Sequence, residues 1–334
     1  MPDTPSTPVT HADPAGPADL AGCRNATVIG AGVIGTSWAA LFLAHGLRVT
    51  VTDPRPDAEE QVLAGIEEIV PTLAALGLPT DGLTGRLRFE PDLAAAVADA
   101  DLVQENGPER LGVKQEIWRT VEEAAPAHAL FATSTSGVPA TAIAEALEQP
   151  ERLVVGHPFN PPHLVPLVEV VPGERTSPET VERACALYTA LGKKPQVLRK
   201  EVPGFVANRL QSALFREAVH LVAEGVVTEA ELDAIVTDSI GMRWAVAGPF
   251  STFHLGGGPG GLPHFLTHLG TQMAAGWPHL GRPALDEPTV SLLTQQAQDA
   301  FGGESVAELA ERRDRAQIAL MNALGEDRDR GEAA

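Results

Sequence analysis

The sequence predicts an α/β protein in which a doubly wound, mainly parallel sheet is followed by an all-α region. Three observations support this prediction. From residue 26, short apolar runs alternate with longer amphipathic segments, as they do in βαβ units. A glycine-rich turn joins the first of these runs to the first helical segment. After Pro203 the strand pattern stops, and only helical periodicity continues.

The first βαβ unit is the clearest part of the pattern. Residues 26–29 form a short apolar run that predicts a strand, and the turn GAGVIG at 30–35 leads from it into an apolar helix. This helix is expected to end at His45, because Gly46 is a favourable C-terminal cap. Residues 48–52 then predict the second strand.

The same alternation continues to about residue 200. Asp57 and Glu60 predict a capping box at the start of a long helix that ends at Gly77. Ser177 followed by Pro178 predicts another helix start, because serine caps a first turn in which proline needs no amide partner. Further apolar runs predict strands at 87–89, 101–104, 130–133, 153–156, 167–171 and 196–199.

The rest of the chain predicts a separate helical domain. A helix is expected from about Phe205 to Ala223, and Thr228 with Glu231 predicts a capping box for the next helix, which runs to Thr237. Three or more helices follow. We therefore expect a flexible tail at 1–22, a sheet domain at 23–200, a helical domain at 201–325 and a second tail at 326–334.

Composition excludes several classes of function. The 334 residues include 44 acidic and 24 basic side chains, and the net charge of −20 repels nucleic acids and acidic membrane surfaces. No apolar run reaches the roughly 20 residues of a spanning helix. The first 22 residues carry no secretory pattern, and Cys23 and Cys185 form no CxxC pair. A cytoplasmic protein that acts on a small molecule is expected.

The turn at 30–35 has the features that a dinucleotide pyrophosphate requires. Gly30 permits a tight turn, Gly32 lets the backbone approach phosphate, and Gly35 allows close packing of the helix on the strand. Val33 and Ile34 open that helix, whose unbonded amides favour an anion. The sheet domain is therefore interpreted as a dinucleotide-binding domain.

An acidic residue at the end of the second strand indicates which dinucleotide binds. Asp53 stands where a carboxylate can accept hydrogen bonds from ribose hydroxyls and repel a 2′-phosphate, so NAD is favoured over NADP. Arg55 leaves the alternative open, because a guanidinium two residues later could contact a 2′-phosphate. A glycine turn without a ligand, or a methyltransferase-type sheet, is the weaker interpretation.

Three blocks of sequence resemble the 3-hydroxyacyl-CoA dehydrogenase superfamily: GHPFNPP at 156–162, LVEVV at 167–171 and VPGFVANRL at 202–210. Three later blocks, 241–250, 253–265 and 308–324, are more similar to the branch of carnitine dehydrogenases and of L-gulonate 3-dehydrogenase with lambda-crystallin. The resemblance implies a Rossmann-type domain, NAD as cofactor, a helical domain that contributes to substrate binding and dimerisation, and a homodimer. Members of that branch act on free 3-hydroxy acids.

The resemblance also assigns an acid–base pair. Oxidation of a secondary alcohol needs a group that removes the hydroxyl proton, and histidine suits this task near neutral pH. His157 follows the predicted strand at 153–156 and matches the family's catalytic histidine. Glu169 matches its carboxylate partner, which would fix the imidazole's tautomer and stabilise its cation.

Four further residues match family positions. Ser136 corresponds to a serine that contacts the substrate, and Asn208 to an asparagine that polarises the reacting oxygen. Glu105 and Lys114 correspond to residues that contact the cofactor. Helix capping is an alternative for both Ser136 and Asn208.

The prediction of the substrate type depends on fewer residues. The chain has no lysine between Asp53 and Glu105, so a free acid is favoured over a CoA thioester. Arg243 is a candidate clamp for the substrate carboxylate, with an interdomain ion pair as its alternative. No metal is expected, since His254, His264 and His268 have no carboxylate or thiol nearby in the sequence.

Together these observations predict an NAD-dependent oxidoreductase that interconverts a 3-hydroxy and a 3-oxo group on a free carboxylic acid. A stereospecific 3-ketoreductase of aromatic polyketides and a 3-hydroxyacyl-CoA dehydrogenase are the alternatives with related chemistry. A structural or purely NAD-binding role is a third possibility, because lambda-crystallin shows that such a scaffold can serve without catalysis.

Overall fold

A computed structural model describes residues 20–332 of the chain. The expected N-terminal tail therefore lies almost wholly outside the described residues. The chain divides into two compact units between Phe205 and Val206. The first unit contains a sheet with helices, and the second is helical, which confirms the predicted fold class. No described helix is long and apolar enough to cross a membrane.

The sheet of the first unit has eight strands in the order β3-β2-β1-β4-β5-β6-β7-β8. Strands β1 to β6 pair in parallel, β7 pairs antiparallel with β6, and β8 pairs in parallel with β7. The strands are β1 Asn25–Ile29, β2 Arg48–Thr52, β3 Leu87–Phe89, β4 Leu102–Glu105, β5 Leu130–Thr133, β6 Leu153–Pro158, β7 Leu167–Pro172 and β8 Lys194–Val197.

Six helices of the first unit accompany this sheet. They are α1 Val33–Ala44, α2 Ala58–Ala75, α3 Leu93–Val97, α4 Leu111–Ala124, α5 Ala140–Ala144 and α6 Pro178–Ala190. Adjacent residues of a strand face opposite sides of a sheet, so Val28 packs in one apolar cluster and Ile29 in another. The first cluster includes residues of α1, α2 and α6, and the second includes residues of α3, α4 and α5. The sheet is thus covered on both faces, as the apolar runs predict.

Local sequence signals explain most element boundaries. The Ser177 side chain accepts a hydrogen bond from the Thr180 amide, so it caps α6 as predicted. The predicted capping box of Asp57 and Glu60 is wrong. Asp57 occupies the N-cap position but makes no capping bond, because its carboxylate accepts a hydrogen bond from the side chain of Gln61. Strand β8 lies two residues earlier than the sequence predicts.

The second unit contains eight α-helices within the described residues: α7 Ala207–Ala223, α8 Glu229–Val236, α9 Met242–Val246, α10 Pro249–Gly256, α11 Gly261–Phe265, α12 Thr271–Gly276, α13 Glu287–Phe301 and α14 Val306–Glu332. Helix α14 extends into the segment that the sequence predicts as a charged tail. Thr228 and Glu231 form the predicted capping box at the start of α8. Helix α7 begins at Ala207, two residues later than expected, because Phe205 has a positive φ of 50°.

Candidate active site

The glycine turn after β1 forms one wall of a cleft of about 870 Å³. Gly30 has a φ of +90°, and a Cβ there would lie 2.7 Å from the Asn106 carbonyl oxygen. A Cβ at Gly35 would overlap the carbonyl oxygen of Gly30. Gly32 is the N-cap residue of α1, and a Cβ built there would meet nothing within 4 Å. The turn is therefore tight where glycine is needed and open where a phosphate would approach.

Asp53 follows β2 and is tied to the same turn. Its Oδ2 accepts a hydrogen bond of 2.7 Å from the Ala31 amide, and its Oδ1 accepts one of 2.9 Å from Nε of Arg55. Burial by itself would raise the pKa of Asp53, but these hydrogen bonds and the charge of Arg55 outweigh it and leave the pKa below its usual value. Asp53 is therefore ionised at neutral pH, next to the exposed Gly32 and Val33.

Glu105 and Lys114 form a buried ion pair at the end of β4. Lys114 Nζ lies 2.9 Å from Oε1 of Glu105, and both side chains are shielded from solvent. The Glu105 carboxylate also accepts a hydrogen bond of 2.6 Å from the Thr133 hydroxyl. Removal of Lys114 would leave the buried carboxylate of Glu105 without its counter-charge. The pair holds the segment after β4 beside the cleft, and direct contact with a cofactor stays a prediction for both residues.

Glu109 is a residue of this site that the sequence reasoning missed. Its Oε1 accepts hydrogen bonds from the Thr135 hydroxyl at 2.6 Å, the Ser136 amide at 2.8 Å and the Gly137 amide at 2.7 Å, and its Oε2 lies 3.3 Å from Lys114 Nζ. Burial alone would raise the pKa of Glu109, but these partners lower it below its usual value. The sequence signal that could have identified Glu109 is its position, just after a strand and five residues before the candidate Lys114.

The arrangement around Glu109 fixes the loop that carries Ser136. The Ser136 side chain is exposed, with its Oγ 3.5 Å from Oε1 of Glu109. The N-cap of α5 is Pro139, so Ser136 does not cap that helix. A substrate contact by Ser136 stays a prediction, but the helix-capping alternative does not describe this structure.

His157 and Glu169 lie opposite each other on paired strands. They are register partners in the antiparallel pair β6 and β7, and Nδ1 of His157 lies 2.9 Å from Oε2 of Glu169. The two residues are only 5% and 2% exposed. The imidazole ring is flanked by the rings of Phe159 and Phe205, with centroids at 5.7 and 5.2 Å. When the Glu169 carboxylate accepts a hydrogen bond from Nδ1–H, Nε2 is the ring nitrogen that can exchange a proton with a ligand.

Asn208 and Arg243 belong to the helical unit. Asn208 is half-buried in the first turn of α7, and the N-cap of that helix is Val206 without a side-chain capping bond. Arg243 is exposed on α9, and within the described part of the chain no hydrogen bond or ion pair engages its guanidinium. An interdomain ion pair stays the alternative for this residue. A role of either side chain beside His157 stays a prediction.

The three histidines of the helical unit do not form a metal site among the residues that the structure describes. The rings of His264 and His268 stack with centroids 4.1 Å apart, and Nδ1 of His268 is hydrogen-bonded to the carbonyl of His264. Nδ1 of His254 accepts a hydrogen bond from the Leu262 amide. Each ring therefore has a local structural role.

Comparison with known proteins assigns the family. Residues 25–202 match the NAD-binding domain of 3-hydroxyacyl-CoA dehydrogenase, and residues 204–287 match its C-terminal domain. The chain belongs to the 3-hydroxyacyl-CoA dehydrogenase family. The resemblance seen in the sequence is thereby confirmed. Members of this family are NAD-dependent oxidoreductases of CH–OH groups, and the turn at 30–35 with Asp53 fits NAD as the cofactor.

Several relatives are similar over nearly the whole chain. L-carnitine dehydrogenase of Streptomyces griseus is 45% identical over 96% of both chains. L-carnitine dehydrogenase of Pseudomonas aeruginosa is 43% identical over 90% of this chain and 94% of its own. Among solved structures, an NAD-dependent 5-formyl-3-hydroxy-2-methylpyridine 4-carboxylic acid 5-dehydrogenase matches with a TM-score of 0.75 and 33% identity, covering 91% of this chain and 99% of that chain.

Proposed function

We propose that the protein interconverts a 3-hydroxy and a 3-oxo group on a free carboxylic acid, with L-carnitine as the model substrate. The observation that carries this proposal is the buried pair of His157 and Glu169 on adjacent strands of the sheet that bears the NAD turn. The similarity to L-carnitine dehydrogenases supports a free hydroxy acid rather than a CoA thioester.

In the proposed mechanism, His157 is the general acid and base. The turn at 30–35 and Asp53 would hold NAD, which would supply the acceptor for the hydride of C3. Nε2 of His157 takes the hydroxyl proton as the C3–O bond becomes a carbonyl, and Glu169 stabilises the resulting imidazolium. In the reverse direction the same imidazolium returns the proton to the oxygen.

Three further residues have proposed roles toward the substrate. The hydroxyl of Ser136 and the amide of Asn208 would donate hydrogen bonds to the C3 oxygen and stabilise its developing charge. Arg243, which is exposed and without a partner in the described chain, would bind the carboxylate through two parallel hydrogen bonds. No lysine between Asp53 and Glu105 is available for CoA phosphates.

A spectrophotometric panel tests this function. Purified protein is given NAD with L-carnitine, other free 3-hydroxy acids and 3-hydroxyacyl-CoA thioesters, and absorbance of NADH is followed at 340 nm. We expect turnover of at least one free acid with a kcat/KM well above that of every thioester. Preference for a thioester would contradict the proposal, and binding of NADH without any turnover would favour a non-catalytic role.

An aromatic acid is a second candidate substrate class. The observation that favours it is the match to the pyridine carboxylic acid dehydrogenase, which extends over 91% of this chain. It agrees in part with the ketoreductase alternative, whose substrates are also aromatic. Aromatic 3-keto acids belong in the same panel, and their turnover in preference to L-carnitine would support this candidate.

We also propose that the protein is a cytoplasmic homodimer that associates through its helical unit. Helices α7, α8 and α13 line an apolar groove of about 550 Å³. Phe215, on α7, is 59% exposed in the single chain. Exposed aromatic side chains in an apolar groove are typical of association surfaces.

A further inference from the structure

Arg55 occupies an unusual place in the NAD cleft, because it is already bonded to the carboxylate that should recognise ribose. Its Nε lies 2.9 Å from Oδ1 of Asp53, and its Nη2 donates a hydrogen bond of 3.0 Å to the carbonyl oxygen of Ala31 in the glycine turn. The side chain of Arg55 is nevertheless 44% exposed, and it lines the cleft. A cation therefore stands at the ribose end of the site.

A second set of contacts holds this guanidinium in place. Nη1 of Arg55 donates a hydrogen bond of 2.8 Å to Oε1 of Gln61, and Nε2 of Gln61 donates one of 2.5 Å to Oδ2 of Asp57. This explains why Asp57 does not cap α2. The side chains of Asp57, Gln61, Arg55 and Asp53 thus form a continuous chain of hydrogen bonds at the start of α2.

The charges of this chain bear on cofactor choice. A carboxylate at the end of the second strand excludes NADP by repelling its 2′-phosphate, provided that its negative charge is not compensated. Here the charge of Asp53 is paired with that of Arg55. One N–H of Nη1 makes no bond within the described residues, so it can donate to a phosphate oxygen. Guanidinium is well suited to phosphate.

We propose that Arg55 is a cofactor-specificity residue that lets the site accept NADP(H) as well as NAD(H). In this arrangement the two cofactors share the glycine turn and differ only in what Asp53 and Arg55 contact. With NAD, the Asp53 carboxylate accepts hydrogen bonds from the ribose hydroxyls. With NADP, Arg55 pairs with the 2′-phosphate and offsets its repulsion by Asp53.

Binding measurements test this proposal without any hydroxy acid, so its outcome is independent of the substrate assignment. Dissociation constants of NADH and NADPH are measured by fluorescence for the wild type and for Arg55→Gln. We expect a wild-type NADPH constant within about thirtyfold of that for NADH, and a rise of that ratio by at least about fivefold in the variant, mainly through weaker NADPH binding.

Two further variants make the result specific. Arg88→Gln removes the same charge from a side chain of similar exposure, 51%, that lies outside the cleft, so it should leave both constants unchanged. Gln61→Leu keeps the charge of Arg55 but removes the partner of its Nη1, so it should raise the ratio in the same direction as Arg55→Gln. A wild-type ratio above about thirtyfold, or an Arg55→Gln variant that weakens both cofactors alike or neither, would overturn the proposal.

Discussion

At the scale of single residues, the decisive arrangement is a histidine whose Nδ1 is hydrogen-bonded to a carboxylate while both groups are buried. Glu169 would be costly in this position without a partner, because burial penalises an unpaired carboxylate. Paired with His157, it orients the ring, and in the proposed mechanism it would stabilise the charged form that proton transfer creates. The hydrogen bond to His157 thus offsets part of the free-energy cost of burying the Glu169 carboxylate.

Replacing His157 by glutamine should remove proton transfer while keeping a polar side chain of similar reach. We expect kcat to fall by about 10²- to 10⁴-fold, the usual contribution of a general base, with the NADH dissociation constant changed by less than about threefold. His128→Gln is the matched control, because His128 also pairs with a carboxylate, Asp101, but its side chain is 63% exposed. Full activity of His157→Gln would remove the residue from the mechanism.

Lys193 provides a pH-dependent test of the core. It is 6% exposed, donates hydrogen bonds to the carbonyls of Pro162 and Val165, and burial lowers its pKa from 10.5 to about 7. Between pH 7 and pH 10.5 the unfolded chain binds a proton at Lys193 that the folded protein does not. The free energy of unfolding therefore rises with pH across this window, at a slope of about 1.4 kcal/mol per pH unit.

The variant Lys193→Met should lose this dependence. Urea unfolding at pH 7 and pH 9 should show that the wild type gains about 2 kcal/mol relative to the variant over this interval. The exposed neighbour serves as the control, and Lys194→Met should follow the wild-type pH dependence. Equal pH dependence in wild type and Lys193→Met would mean that Lys193 stays protonated in the fold.

The sequence was sufficient to locate the candidate residues that stand in a motif, while their chemical roles stay predictions. His157, Glu169, Asp53 and the three glycines stand in recognisable segments, and the structure places each where a strand or turn presents it. Glu109 was missed because its partners come from a different loop, 26 to 28 residues away. Such a contact depends on how parallel strands align their ends, and the sequence around Glu109 indicates only its spacing from Lys114.

At the scale of elements, the packing of β6 against α6 restricts the residue before the candidate base. A Cβ at Gly156 would overlap the hydroxyl of Tyr188. That hydroxyl is buried and donates a hydrogen bond of 2.8 Å to Oε1 of Gln104, on β4. Burial raises the pKa of Tyr188, so it stays protonated as a donor. Helix α6 and strand β4 therefore jointly support the strand that carries His157.

Gly156→Ala should be destabilising for this reason. We expect a loss of about 1–3 kcal/mol in the free energy of unfolding, measured by urea denaturation, together with reduced kcat as β6 shifts. Combining it with Tyr188→Phe should recover part of the loss, because the overlapping oxygen is removed. If the two changes are simply additive, the contact between position 156 and the hydroxyl is not the source of the loss.

Element boundaries were predicted well where one local signal dominates. The predicted limits of β2, β3 and β5 agree with the observed strands, and Ser177 and Thr228 cap the helices that follow them. Strand β8 was placed two residues late because its register is set by pairing with β7 rather than by its own apolar residues. The Asp57 capping box failed because a side chain one turn later competes for the same carboxylate.

At the scale of the whole molecule, the oligomeric state can be tested through the groove of the helical unit. We expect light scattering to give twice the chain mass of 35.0 kDa for the wild type. Phe215→Glu, which puts a charge into the apolar groove, should shift the protein to a single chain, whereas Phe215→Leu should not. A wild-type mass of one chain would refute the homodimer.

The antiparallel pairing of β6 and β7 has a consequence for how such enzymes diversify. The distance between His157 and Glu169 is set by the backbone hydrogen bonds that pair β6 with β7. The connection from Phe159 to Pro166 lies outside this pairing. Insertions or deletions in that connection would leave acid and base face to face. Evolution can therefore reshape the surroundings of the reacting carbon through loop length while proton exchange keeps its geometry.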